Sequence, residues 1–157
     1  MSLNPFFSQS TLEYELPDFA SINESHYLEG FYEGTKEQLA EVDAIIASGE
    51  PTFANTIVAL EKSGRTLTRM LLVFYNKSSS DTSDALDAIE EEIAPKLSAH
   101  QDAITLNPAL FSRIKTLHDT KDSLSLNSED AWLLGKYYRD FVYAGAHLTQ
   151  EQRQGCV

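Results

Sequence analysis

The sequence holds a single cysteine, Cys156, in 157 residues. One thiol makes neither an internal disulfide nor a cysteine-based zinc site. Long apolar runs are missing as well. The longest, Met70 to Tyr75, is far short of the ~20 residues that span a membrane. The first seven residues carry neither the basic cluster nor the apolar stretch of a secretory leader, so the expected setting is the cytoplasm. Basic residues are scarce: 12 Lys and Arg stand against 24 Asp and Glu, a formal charge of −12. Eleven of the acids but only one base, Lys36, lie in residues 1–61. Such a chain has little cationic surface with which to displace counterions from nucleic acid or to adhere to an anionic membrane. Neither is expected as a partner.

With 42% hydrophobic residues, the chain can bury a core without covalent staples. Residues 1–22 read as an extended arm. Pro5 and Pro17 interrupt it, and Phe6, Phe7, Leu12, Tyr14, Leu16 and Phe19 give it apolar anchors. Residues 24–47 have helical spacing at Leu28, Phe31, Leu39, Val42 and Ile45, with Ser21 or Asn23 as cap. Residues 53–76 repeat that logic after the possible cap Thr52. Ile57, Leu60, Gly64, Leu67, Leu71 and Phe74 form one stripe, on which Gly64 would let a neighbouring helix approach closely. Residues 77–81 read as a loop. A third helix is expected over 84–106, capped by Thr82 or Ser83, with Pro95 kinking or breaking it near Glu91–Ala94. Asn107-Pro108 opens a fourth helix to about Thr120, and Asn127 or Ser128 caps a fifth to about Ala146. Thr149 with Gln152 has the spacing of a further helix start. No segment alternates with period two. The expected class is all-α: an antiparallel bundle of about five helices behind an N-terminal arm.

Few residues are arranged for chemistry. The histidines, His26, His100, His118 and His147, are never within four residues of one another, so no His-Glu-x-x-His exists, and the residues three before them, Asn23, Leu97, Lys115 and Ala144, exclude Glu-x-x-His pairs. The seven glycines form no phosphate-cradling loop. His100 lies on the apolar face of the third helix and reads as a packing residue, whereas the other three flank helix ends. Glu90, Glu91 and Glu92 read as a solvated run. No residue is nominated as catalytic, cofactor-binding or metal-binding. The sharpest feature is the step of four through Glu29, Glu33, Glu37 and Glu41, an acidic stripe partly relieved by Lys36. Lys62, Arg65 and Arg69 form a basic stripe on the next helix. The two are expected at the rim of a helical hairpin, or else the acids face a basic partner.

Several stretches are similar to the N-terminal part of the M3 family of zinc oligopeptidases, in particular its bacterial peptidyl-dipeptidase (dipeptidyl carboxypeptidase, Dcp) branch. They are residues 4–7 (NPFF), 37–45 (EQLAEVDAI), 51–65 (PTFANTIVALEKSGR), 93–104 (IAPKLSAHQDAI), 107–111 (NPALF) and 138–146 (YRDFVYAGA). The resemblance implies a helical domain, residues 23–157, from a larger clamshell hydrolase that removes C-terminal dipeptides from short peptides. This segment would form part of the substrate-channel wall, truncated before the catalytic region. Zinc is then expected only in the full-length enzyme, and the chain alone is expected to be inactive. The expected partner is the remaining catalytic half. The alternatives are a free-standing interaction module that self-associates through Phe6, Phe7, Phe19, Trp132 and Tyr137, or a regulator that docks on a peptidase in trans.

Overall fold

The computed structural model describes residues 4–8, 10, 18, 20–80, 83–148 and 152. Among them the regular structure is all helical, as the apolar spacing requires. Five helices of twelve residues or more are present: α1 (Glu24–Ile46), α3 (Arg65–Ser80), α4 (Asp84–Thr105), α5 (Pro108–Asp119) and α6 (Ser128–Tyr143). Between α1 and α3 lie a π-helical turn, Ala54–Val58, and the single-turn α2, Ala59–Lys62. Short 3₁₀ turns occur at Pro5–Phe7 and Lys121–Ser123. The arm expected over residues 1–22 falls largely on residues outside the described set. So do Phe19, Thr82, Thr149 and Cys156.

Local signals set most boundaries. Asn107 Oδ1 accepts the amides of Ala109 and Leu110 at 3.0 and 3.1 Å, and Pro108 occupies the first helical position of α5. Asn127 Oδ1 accepts the Asp130 amide at 2.8 Å and starts α6. Ser83 Oγ accepts the Leu86 amide at 3.3 Å at the head of α4. The Asn23 amide donates to His26 Nδ1 at 3.2 Å. The imidazole thus fills the return position that a glutamate takes in a capping box.

Three expectations are corrected. Residues 53–76 are not one helix. Ser63 is extended (φ −74°, ψ 156°) and Gly64 is left-handed (φ +68°), which ends α2 before α3 begins. The close approach expected at Gly64 is present, as the Gln38 side chain of α1 lies against it, and a backbone-to-backbone approach occurs at Gly34. A Cβ there would lie 2.8 Å from the Leu67 amide nitrogen and 2.9 Å from its Cα, so the α1 and α3 backbones nearly touch. The loop expected at residues 77–81 is helical through Ser80, where the Ser79 and Ser80 hydroxyls donate to the carbonyls of Tyr75 and Asn76. Pro95 does not break α4, which runs unbroken past it. Both Pro95 and Glu91 are exposed, so water can bond the Glu91 carbonyl that proline's missing N–H leaves free.

The chain forms two compact units, each with its own core. The first comprises the described residues of Met1–Ala40 with Gly64–Ser98. Phe6, Tyr27, Phe31, Leu67, Met70, Val73, Phe74, Leu86, Ile89 and Ile93 fill it. Edge-to-face packing of Tyr27 on Phe74, 5.3 Å between centroids, links α1 to α3. The second comprises the described residues of Glu41–Ser63 with Ala99–Val157. Its core includes Val42, Ile45, Ile57, Leu60, Leu110, Ile114, Leu117 and Leu134. Phe111 stacks there on Tyr138 and Phe141, and His118 stacks on Tyr138 at 3.9 Å. The stripe read across residues 57–74 therefore serves two cores: Ile57 and Leu60 in the second unit, Leu67 and Phe74 in the first.

Gly64 and Gly49 provide a matched test. Both have positive φ, but a Cβ on Gly49 meets nothing within 4 Å, whereas one on Gly64 meets the Gln38 side chain at 2.5 Å. Gly49→Ala should lower stability by about 1 kcal/mol from backbone strain alone, and Gly64→Ala by somewhat more, because the end of the Gln38 side chain must also be displaced. Urea denaturation of the two variants checks the order; equal losses would contradict the packing at Gly64.

Candidate functional site

The polar groups that sequence reasoning singled out are placed individually. His26 is buried and committed to the α1 start. His100 is buried in α4, in line with a packing role. His118 lies flat on Tyr138, and His147 is exposed. Among the described residues, no three His, Cys, Asp or Glu side chains are grouped closely enough to hold a metal ion. Of the Glu90–Glu92 run, Glu92 is engaged: it accepts from the Tyr32 hydroxyl at 2.5 Å and pairs with Lys96 at 2.9 Å. Lys96 also lies 4.8 Å above the Tyr32 ring.

The acidic stripe lines a groove. Glu29, Glu33 and Glu37 of α1 border an open cavity of about 580 Å³ with Phe7, Lys36, Ala40 and Thr66, all in the first unit. Lys36 Nζ stands 3.7 Å from Glu33, and Asn4 Nδ2 donates to Glu29 Oε2 at 2.9 Å. Glu41 borders a separate groove in the second unit, which Lys62 also lines. The basic stripe does not serve the acids as a block. Arg69 donates to the backbone carbonyls of Phe6 and Ser8. Of the aromatics expected to drive association, Phe6 is unavailable at 1% exposure, Trp132 is 61% exposed and Tyr137 is half-buried. The Tyr137 hydroxyl donates to Glu61. Burial first, then that carboxylate, pushes the phenol well above its ordinary value.

The polar centre that sequence reasoning missed is Arg113. It is 7% exposed in α5, and its five donors all meet neutral oxygens. Nε bonds Thr56 Oγ1 at 3.3 Å, and Nη2 bonds Ser48 Oγ and Asn55 Oδ1 at 2.8 and 2.9 Å. Nη1 donates to the carbonyls of Ile46 and Gly49. The Ile46 carbonyl sits at the C-terminus of α1, where the helix dipole favours a cation. Asn55 is itself fixed by a reciprocal pair with Thr52: Thr52 N to Asn55 Oδ1 at 2.8 Å and Asn55 N to Thr52 Oγ1 at 3.1 Å. The signal lay in spacing. Arg113 interrupts the stripe Leu110, Ile114, Leu117 on its buried side.

The described residues thus form a helical protein whose buried polar groups tie its elements together. Comparison with known proteins gives the segment relatives. Over 154 residues, 98% of its length, the chain is 37% identical to a dipeptidyl carboxypeptidase of Salmonella typhimurium. Over 153 residues it is 39% identical to the dipeptidyl carboxypeptidase of Escherichia coli. A more distant relative is the chloroplastic and mitochondrial organellar oligopeptidase A of Arabidopsis thaliana, 24% identical over 155 residues. The chain spans 23%, 22% and 19% of these three proteins, less than a quarter of each. No family model matches it. Along nearly its whole length the chain is similar to an N-terminal region of dipeptidyl carboxypeptidases of the M3 oligopeptidase group, as the sequence stretches imply. Among the described residues, no helix is long and apolar enough to cross a membrane.

Two outcomes test the polar placements. Arg113→Met removes five bonds and strands buried acceptors, so it should destabilise the chain by about 2 kcal/mol or more. Arg113→Lys should recover little of this, because an ammonium cannot reach the same spread of acceptors; urea denaturation would show it. Burial also pushes the His100 imidazole below its ordinary value of 6.5. The folded state resists the proton that the unfolded chain accepts. His100 therefore contributes stability above the unfolded value, and this is lost as pH falls through the folded value. Urea midpoints between about pH 7 and about pH 5 should fall more steeply for the parent chain than for His100→Gln; parallel profiles would disprove the assignment.

Proposed function

We propose that the chain is the N-terminal, non-catalytic helical segment of a zinc-dependent peptidyl-dipeptidase, an enzyme that releases C-terminal dipeptides from short peptides in the cytoplasm. On this reading it forms part of the wall of the substrate channel and leaves zinc binding to the catalytic half. The observation that carries the reading is similarity to dipeptidyl carboxypeptidases over 97–98% of the chain, against only 22–23% of theirs. The lack of any His-Glu-x-x-His in the 157 residues supports it, as does the engagement of the buried histidines and Arg113 in packing and backbone contacts. A wall segment needs a rigid scaffold with polar groups on its surface, and the groove along Glu29, Glu33 and Glu37 supplies such a surface.

The purified chain, incubated with zinc and a free-C-terminus tetrapeptide, should release no dipeptide by mass spectrometry. Mixed with the separately expressed remainder of a related dipeptidyl carboxypeptidase, it should restore dipeptide release that a chelator stops. Chelator-sensitive release by the chain alone would refute the non-catalytic assignment. Failure of the mixture, with both parts folded, would refute the wall role.

A further inference from the structure

The segment from Asn4 to Ser8 is a preshaped hook in a fitted receptor. Asn4 Oδ1 accepts the Phe6 amide at 3.0 Å, and the Phe7 amide donates to the Asn4 carbonyl at 3.1 Å. Pro5 begins the 3₁₀ turn with its φ already fixed by the ring. The turn is thus stabilised by its own Asn-Pro-Phe sequence, independently of what it docks on.

The receptor lies wholly in the first unit and reads three features of the hook. The Asn4 amide donates both its hydrogens, to the His26 carbonyl at 3.0 Å and to Glu29 Oε2 at 2.9 Å. The Phe6 ring enters a hole floored by Gly30, where a Cβ would stand 3.0 Å from Phe6 Cδ2 and 3.2 Å from Met70 Cγ. The Tyr27 ring closes one side, 5.7 Å from the Phe6 ring. Arg69 Nη1 donates to the carbonyls of Phe6, at 3.1 Å, and Ser8. Only Asn4 and Phe6 present side chains that are buried, whereas Phe7 and Ser8 are exposed. The contacts therefore recognise an asparagine, an aromatic ring two residues on, and the carbonyls of a turn.

We propose that α1 and α3 form a binding site for peptides bearing an Asn-Pro-Phe turn, held closed by the chain's own residues 4–6. Selectivity follows from the chemistry. An aspartate in place of asparagine offers no amide donors and sets a second carboxylate beside Glu29. A small residue in place of phenylalanine leaves the Gly30 hole unfilled. Because the internal hook is tethered, its effective concentration exceeds that of a dilute external peptide, so the site opens to a ligand in trans when the internal hook is disabled.

The probe is acetyl-Asn-Pro-Phe-Phe-Ser carrying a C-terminal fluorophore, titrated by anisotropy against the full chain with Asn4→Asp and Phe6→Ala. The double variant should bind the peptide saturably, at least about tenfold more tightly than the parent chain does. The Asp-Pro-Phe-Phe-Ser probe should not bind. Adding Gly30→Val, whose side chain occupies the hole vacated by Phe6, should weaken binding by about tenfold or more. If the double variant has lost helical circular dichroism, excess Asn-Pro-Phe peptide should restore it by binding the folded state. The proposal is overturned by no saturable binding to a helical double variant, or by no recovery in a disordered one. Equal binding by the parent chain, or indifference to Gly30→Val, overturns it too.

Discussion

At Gly64 the backbone turns left-handed, and that turn decides which core each flanking residue enters. The flanking residues keep helical spacing on both sides, so a continuous helix would point Ile57, Leu60, Leu67 and Phe74 along one face. The extended Ser63 and the positive φ of Gly64 break that face. The first pair then packs in one core and the second pair in another. The turn also sets where α3 begins, and thereby the near-contact of its Leu67 backbone with Gly34 of α1. That contact has no room for a methyl group, so glycine at position 34 is a steric requirement, whereas at position 64 the positive φ is what favours glycine.

The second organising element is the guanidinium of Arg113. Burying a cation without a carboxylate is unfavourable unless every donor is satisfied. Here the end of α1, the Gly49 turn and the π-helical turn all present oxygens to one planar fork. A point-charge ammonium could not bridge them, because the acceptors are spread around the plane. This accounts for the polar residues of the stretch Thr52–Thr56. Thr52 and Asn55 cap the segment reciprocally, while Asn55 and Thr56 accept from Arg113. Their hydrogen bonds join elements distant in the chain.

Legibility in the sequence followed the range of the interaction. Signals acting within one turn were readable: Asn107-Pro108, Asn127, Ser83, and the helical class itself. The apolar faces of α4 and α5 were readable because 3.6-residue periodicity records burial directly. What failed depended on contacts distant in sequence. Gly64 has two uses, a close approach to Gln38 and a left-handed turn, and spacing alone shows only the first. The near-contact of Gly34 requires knowing that Leu67 lies opposite. Arg113 looks like a solvated base until its acceptors, 57 to 67 residues away, are brought together. Arg69 was read as a counter-charge for the glutamates, yet it caps backbone carbonyls of a segment more than 60 residues upstream.

The acidic stripe illustrates how magnitudes separate fold from function. Like charges four residues apart on a helix oppose it by about 0.2–0.5 kcal/mol per pair, less where solvent screens them. The contact of Lys36 with Glu33 is exposed and offsets only part of that. Burying Phe6, in contrast, contributes about 2 kcal/mol through its apolar area, and Phe31, Met70 and Phe74 are as fully enclosed on the same two helices. The fold therefore tolerates the stripe easily and needs no basic partner to offset it. Glu29 does serve the fold, because it accepts from Asn4, but Glu33 and Glu37 add little stability, so any advantage in placing them along one groove lies in what that groove faces.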